Sequence, residues 1–206
     1  MVSEAVNLLK GMIAIPSITF EEERVADFLY NWLKKKDSFD LLRIKNNILA
    51  LPRSYTADKP TLMLNAHIDT VKAAESYTID PYAALEKDGA IFGLGSNDDG
   101  GCVVSLIEAF LYANSNRSIA GAPQEVLTKE SINNINVVLL LSAEEERSGT
   151  GGISYAMEVI GNNKIPEVDI SLPDGFKIDF AIVLLSFSCT KSKPFWIALV
   201  NFSIIS

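Results

Sequence analysis

The chain has 206 residues, 48 % of them apolar and 21 % charged, enough for one large globular domain, or a domain and a fraction, with a core that needs no staple. Its formal net charge of −8 and its lack of a long basic run argue against a nucleic-acid partner, because phosphate binding requires clustered lysine and arginine. The two cysteines, Cys102 and Cys189, give no disulfide framework, the first residues lack the order of a secretion signal, and no run reaches the ~18 apolar residues of a membrane span. The expectation is a cytoplasmic chain with no membrane segment; the most apolar stretch, Phe195 to Ile205, is too short to cross a bilayer.

Residues 3–14 read as a helix, with Ser3 as cap, Val6, Leu9 and Ile13 at helical spacing, and Pro16 beyond its end. Thr19 is the expected cap of a second helix, whose first turn carries Glu21, Glu22 and Glu23 against the positive end of the dipole. Val25, Phe28, Leu29, Trp32 and Leu33 share one of its faces, and Lys34 to Lys36 form its solvated negative end. Leu41–Ile44 and Ile48–Leu51 are strands around a turn at Asn46-Asn47, Thr61–Asn65 is a buried strand, and Ala90–Phe92 is a short one. After Gly100-Gly101, the spacing of Val103, Val104, Leu106, Ile107, Phe110 and Leu111 is helical. Val137–Leu141 is a second buried strand, Ile153–Ile160 a further helix, and Ile178–Leu185 a third apolar run. Residues 115–135 are polar and turn-rich and read as a surface loop or insertion. Helices alternating with buried strands predict an α/β fold of three layers: a mainly parallel sheet with helices on both faces.

Three clusters fall where a strand gives way to a loop, the place where ligand sites form in open α/β sheets. The first is Asn65-Ala66-His67-Ile68-Asp69-Thr70. His67 and Asp69 are two apart and point the same way in extended chain, so the acid can orient the imidazole or join the ligand shell. The second is Gly93-Leu94-Gly95-Ser96-Asn97-Asp98-Asp99-Gly100-Gly101. Its adjacent acids would repel phosphate, and no lysine follows as a phosphate loop requires, which leaves metal ligation or helix capping for Asp98 and Asp99. The third is Ser142-Ala143-Glu144-Glu145-Glu146-Arg147. Three adjacent acids leaving a buried strand repel one another, and a divalent cation would offset that. One imidazole and several carboxylates suit zinc, with cobalt or manganese as alternatives.

These residues resemble a known family. NAHIDTV is similar to its GHxDTV pattern, GLGSNDDGG to GxGxxDxKGG, and SAEEE to its ADEE or PDEE pattern, in the same order and strand contexts. The family is that of the di-zinc metallopeptidases and deacylases, which includes acetylornithine deacetylase, succinyl-diaminopimelate desuccinylase, peptidase T, aminoacylase and glutamate carboxypeptidase. The wording of the motifs is nearest to the acetylornithine deacetylase branch. The resemblance implies two zinc ions, with His67 and Glu146 as ligands of one each and Asp98 bridging them. It implies Glu145 as general base, Asp69 as support for His67, and Glu144 at a non-catalytic acidic position. The implied activity is hydrolysis of amide bonds in N-acyl amino acids or small peptides.

The resemblance covers residues 1–183, the N-terminal part of a catalytic domain, and leaves 184–206 as a tail without it. Leu185 stands where the family has a zinc-ligating glutamate, and Gly100 where it usually has a lysine. His67 is the only histidine. The expectation is therefore a truncated family member, without the family's lid and dimerisation domain and with impaired activity. The alternative is a non-catalytic metal-binding or partner-binding fragment.

Overall fold

The computed structural model describes residues 2–115, 134–162, 182–185 and 200–203. Two helices open the chain, α1 (Val2–Ile13) and α2 (Glu23–Lys34). The strands β1 (Phe39–Ile44) and β2 (Asn47–Pro52) then form a hairpin, and β3 (Thr61–His67) follows. A small separate hairpin, β4 (Leu85–Lys87) with β5 (Ala90–Phe92), leads to α3 (Gly100–Ala113). β6 (Asn136–Ser142), a 3-10 turn (Glu145–Arg147) and α4 (Ile153–Gly161) come next, then β7 (Ile182–Leu185) and β8 (Val200–Ser203).

The main sheet runs β1-β2-β6-β3-β7-β8. Its centre is parallel, β3 lying between β6 and β7. Both margins are antiparallel, so the sheet is mixed rather than mainly parallel as expected. The physical reason on the first margin is loop length. Ile44 pairs with Asn47, which leaves Lys45 and Asn46 as a two-residue turn, and two residues cannot carry a crossover. Lys45 takes the left-handed conformation there, at φ 52°. The turn thus sits one residue earlier than read from the sequence, and Asn47 becomes a buried strand residue. On the other margin β8 pairs antiparallel with β7 and covers its outer edge; the domain boundary expected after Val183 falls inside β7.

The three layers are as expected. Along β2 and β6 the side chains alternate between two cores, Ile48, Ala50, Val137, Leu139 and Leu141 facing one way and Leu49, Leu51, Val138 and Leu140 the other. Helices α1, α2 and α3 close the first core and α4 the second. Every residue of β6 is buried, the mark of a strand covered on both faces. Each fully buried Leu or Ile contributes about 1.5–3 kcal/mol by removal from water. Phe39 and Phe110 meet edge to face at 5.0 Å and tie β1 to α3.

Two expectations shift locally. Thr19 does not cap α2; the cap position is Glu22, which is fully buried and accepts hydrogen bonds from Phe20 N–H at 2.6 Å and Asn46 Nδ2–H at 3.2 Å. The loop read at 115–135 lies largely outside the described residues, as does 178–181 of the third apolar run. Among the described residues no helix is long and apolar enough to cross a membrane.

Candidate metal centre

Parallel pairing decides where the site forms. β3 and β6 run in register to their last residues, His67 opposite Ser142, so the chains leaving them emerge together at one rim of the sheet. Ile68 N–H donates to Ser142 O at 2.9 Å and holds the two exits side by side. The glycine-rich loop before α3 supplies the third wall. Gly95 has φ +75° and sits against Thr70 so closely that a Cβ would strike its methyl, and Gly100 N–H donates back to Gly95 O at 2.9 Å. That tight loop places Asp98 on the rim.

The result is a convergence of three distant segments. One ligand atom each from His67, Asp98 and Glu146 lie within 4.8 Å of one another. His67 Nε2 is 3.1 Å from Asp98 Oδ1 and 3.8 Å from Glu145 Oε2. The opposite edge of the ring is engaged by Asp69: Nδ1 lies 3.0 Å from the Asp69 carbonyl oxygen and 3.4 Å from its Oδ1. Nε2 is therefore the nitrogen turned towards the carboxylates.

Asp69 is the hub. It is 1 % exposed, and its carboxylate accepts hydrogen bonds from Glu145 N–H at 3.0 Å, Glu146 N–H at 3.1 Å and Thr19 Oγ1–H at 2.9 Å. Thr19 reaches it because Thr19 N–H donates to Thr70 O and Thr70 N–H to Ser17 O, in a short parallel bridge. One buried acid thus fixes the His67 ring and the backbone that carries the two outer glutamates.

The electrostatics follow. Burial pushes the Asp69 carboxyl upward, but its hydrogen bonds to His67, Glu145, Thr19 and Glu146 outweigh that and hold it below the ordinary value. Burial works against a charged His67, yet the hydrogen bond to Asp69 and the charges of Asp99, Asp69 and Glu145 raise it from 6.5 to about 9. Glu146 is raised by burial and then by Asp98, and Asp99 chiefly by burial. Burial likewise pushes the Cys102 thiol up, and so does its hydrogen bond with Asp99.

Not every acid faces the site. The Asp99 carboxylate turns back under β3 and accepts His67 N–H at 3.2 Å; it makes no side-chain cap to α3, the role weighed for it from sequence. Glu144, at φ 58°, turns away and accepts Gly151 N–H at 2.7 Å. A Cβ on Gly151 would overlap that carboxylate. The sequence reading missed the positions of Thr19 and Asp99. Thr19 carried no signal, since its partner is fifty residues away; the doubled aspartate was the sign that one acid serves the backbone.

Asp98 and Glu146 also line an open cleft of about 230 Å³, together with Val71, Tyr77 and the loop 93–97.

A three-layer α/β domain with an imidazole and two carboxylates converging on a strand rim belongs to the class of metal-centre domains. The chain is a member of peptidase family M20/M25/M40, whose model matches residues 63–193. It is 30 % identical over 153 residues to the succinyl-diaminopimelate desuccinylase of Sulfurimonas denitrificans, covering 72 % of this chain and 36 % of that one. It is 28 % identical over 182 residues to a probable carboxypeptidase of Emericella nidulans, covering 85 % and 38 %. The chain thus spans well under half the length of these curated relatives. Its fold matches the crystal structure of the Bacillus subtilis YXEP protein, a dinuclear metal-binding peptidase, with a TM-score of 0.54 at 18 % identity over 79 % of this chain and 40 % of that one.

Proposed function

We propose that this chain is the metal-binding portion of a hydrolase that cleaves amide bonds in N-acyl amino acids or small peptides, of acetylornithine deacetylase type. The observation that carries the reading is the convergence of His67, Asp98 and Glu146, drawn from three strand-end loops, with ligand atoms within 4.8 Å of one another. The donor set fits a divalent cation: one imidazole nitrogen and carboxylate oxygens suit zinc first and cobalt or manganese next. Burial and then the charge of Asp98 raise the proton affinity of Glu146, and a cation beside the two acids would reverse that penalty.

In this reading His67, Asp98 and Glu146 would hold the metal. A bound cation supplies Lewis acidity towards the amide carbonyl and makes water a stronger acid. Asp69 holds the ring so that Nε2 faces the site. Glu145 is the general base: its side chain is 56 % exposed and its Oε2 lies 3.8 Å from His67 Nε2, at the open side of the cluster. There it takes a proton from the attacking water and returns it to the leaving amine. Residues 1–183 form the catalytic portion, and the remainder, 184–206, adds the end of β7 and β8 to the margin of its sheet, in a chain we place in the cytoplasm.

One observation favours a second reading. Leu185 occupies the position where the resemblance puts a ligating glutamate, and an alkyl side chain donates nothing to zinc. A centre short of one ligand binds metal less tightly and holds it without efficient turnover. Calorimetric titration with zinc, paired with hydrolysis assays on N-acetylornithine and other N-acyl amino acids, separates the cases. The expected outcome is saturable zinc uptake with slow turnover that Glu145→Gln abolishes. Zinc uptake with no hydrolysis at all would leave only the second reading, and no zinc uptake would end both.

A further inference from the structure

The turn between α1 and α2 is held against its own preference. Ile18 O accepts Glu21 N–H at 2.7 Å, which makes Phe20 third in a four-residue turn, at φ 79°. That position favours glycine or asparagine, and a side chain as bulky as phenylalanine is strained there. The Phe20 side chain is also left 56 % exposed. Two buried acids fix the turn. On one side Thr19 Oγ1–H donates to Asp69 at 2.9 Å. On the other, the fully buried Glu22 accepts Phe20 N–H at 2.6 Å through Oε1. Its Oε2 accepts Asn46 Nδ2–H at 3.2 Å, and Asn46 Oδ1 accepts Arg43 Nη2–H at 3.1 Å. No step of the hydrolysis uses this carboxylate, and burying an acid that meets its cation only through an asparagine costs stability.

We infer that Glu22 is a positioning residue for the metal centre: by locking the 18–21 turn it fixes the loop that carries Glu145 and Glu146. The inference rests on the amide-hydrolase reading and adds a residue to its machinery. The turn reaches that loop twice. Through Thr19 it braces Asp69, whose carboxylate accepts Glu145 N–H at 3.0 Å and Glu146 N–H at 3.1 Å. Through Phe20 it touches the far end of the loop. A Cβ on Gly149 would come within 2.8 Å of Phe20 Cε1, so the ring lies against that glycine, whose N–H donates to Glu144 O at 2.8 Å. Without the acceptor for Phe20 N–H the strained backbone relaxes, and the Thr19 hydroxyl and the Phe20 ring lose their places together.

The test compares Glu22→Gln, Thr19→Val and the double variant by calorimetric zinc titration, by urea midpoint, and by the amide NMR signals of Glu145 and Glu146 in the metal-free chain. Glu22→Gln replaces one acceptor oxygen with a donor and is expected to weaken zinc binding about fivefold and to shift both amide signals. Thr19→Val is expected to do the same, and the double variant to lose clearly less than the product of the two single effects. Adding Asn46→Asp to Glu22→Gln exchanges amide and carboxylate, restores the hydrogen bond between the two side chains, and is expected to bring zinc affinity back to within about twofold of the unaltered chain. Leu33→Val, in the core near the other end of α2, is expected to lower the urea midpoint and leave zinc affinity unchanged, which separates positioning from general softening. Unchanged zinc affinity or unmoved amide signals in Glu22→Gln would overturn the inference. So would losses that multiply in the double variant, no recovery with Asn46→Asp, or an equal zinc loss in Leu33→Val. In each of those cases zinc uptake by the unaltered chain leaves the hydrolase reading standing. Failure of the unaltered chain to take up zinc would overturn the hydrolase reading and this role with it.

Discussion

The acidic pair Asp98-Asp99 and the acidic triplet Glu144-Glu145-Glu146 leave different parts of the chain, yet they divide their labour in the same way. In each, one carboxylate turns inward onto a backbone donor: Asp99 takes His67 N–H and Glu144 takes Gly151 N–H. In each, another turns outward, and Asp98 and Glu146 meet beside His67. The inward acids are satisfied by fixed N–H groups and need no ion. The outward acids gather negative charge that, among the described residues, His67 alone meets. A site built this way is held in shape by its backbone contacts and is poised for a cation by its charge.

The comparison depends most on the residue beneath both runs. Asp69→Ala would strand Thr19 Oγ1–H and the N–H groups of Glu145 and Glu146 and release the His67 ring, and the expected loss of stability is about 3 kcal/mol by urea denaturation. A loss below about 1 kcal/mol would show that the rim keeps its shape without this hub.

The division within the triplet is sharpened by a matched pair of substitutions. Glu146→Gln is expected to weaken zinc binding by about 100-fold and to leave the urea midpoint unchanged. Glu144→Gln, which preserves an acceptor for Gly151 N–H, is expected to leave zinc affinity within about twofold. Equal effects of the two on zinc affinity would erase the distinction between inward and outward acids.

The pH dependence gives a finer test. A metal must displace the proton that His67 holds up to about 9, so zinc affinity is expected to rise with pH, by up to about tenfold per unit, and to level off above that value. The metal-free fold should respond with the opposite sign. A histidine pKa raised above 6.5 on folding contributes stability that is complete below 6.5 and is lost as pH rises through about 9. Zinc affinity that falls across this range would contradict the placement of His67 as a ligand.

Much of the fold was legible because its strands are apolar runs and its helices are amphipathic, patterns that burial imposes directly. The expected strand at Val137–Leu141 lies within β6, the helical spacing after Gly100-Gly101 became α3, and the strand-end positions of the first and third clusters placed them on one rim. The mixed character of the sheet was less legible, because strand direction depends on the length of each connection, and the hairpin turn was read one residue late. β4 went unread because it is three residues long and wholly exposed, leaving no pattern of burial to detect.

The amino-acid sequence by itself settled that an imidazole and a set of acids stand where strands end, and hence that an α/β rim could gather them. Only the tertiary structure decided which acid faces which way. In a strand, side chains alternate and direction can be counted; in a loop, direction is set by backbone angles and by donors from distant segments. Glu144 at φ 58° turns to Gly151, and Asp99 turns to the backbone of His67, thirty-two residues away. Those partners exist only once the chain has closed on itself.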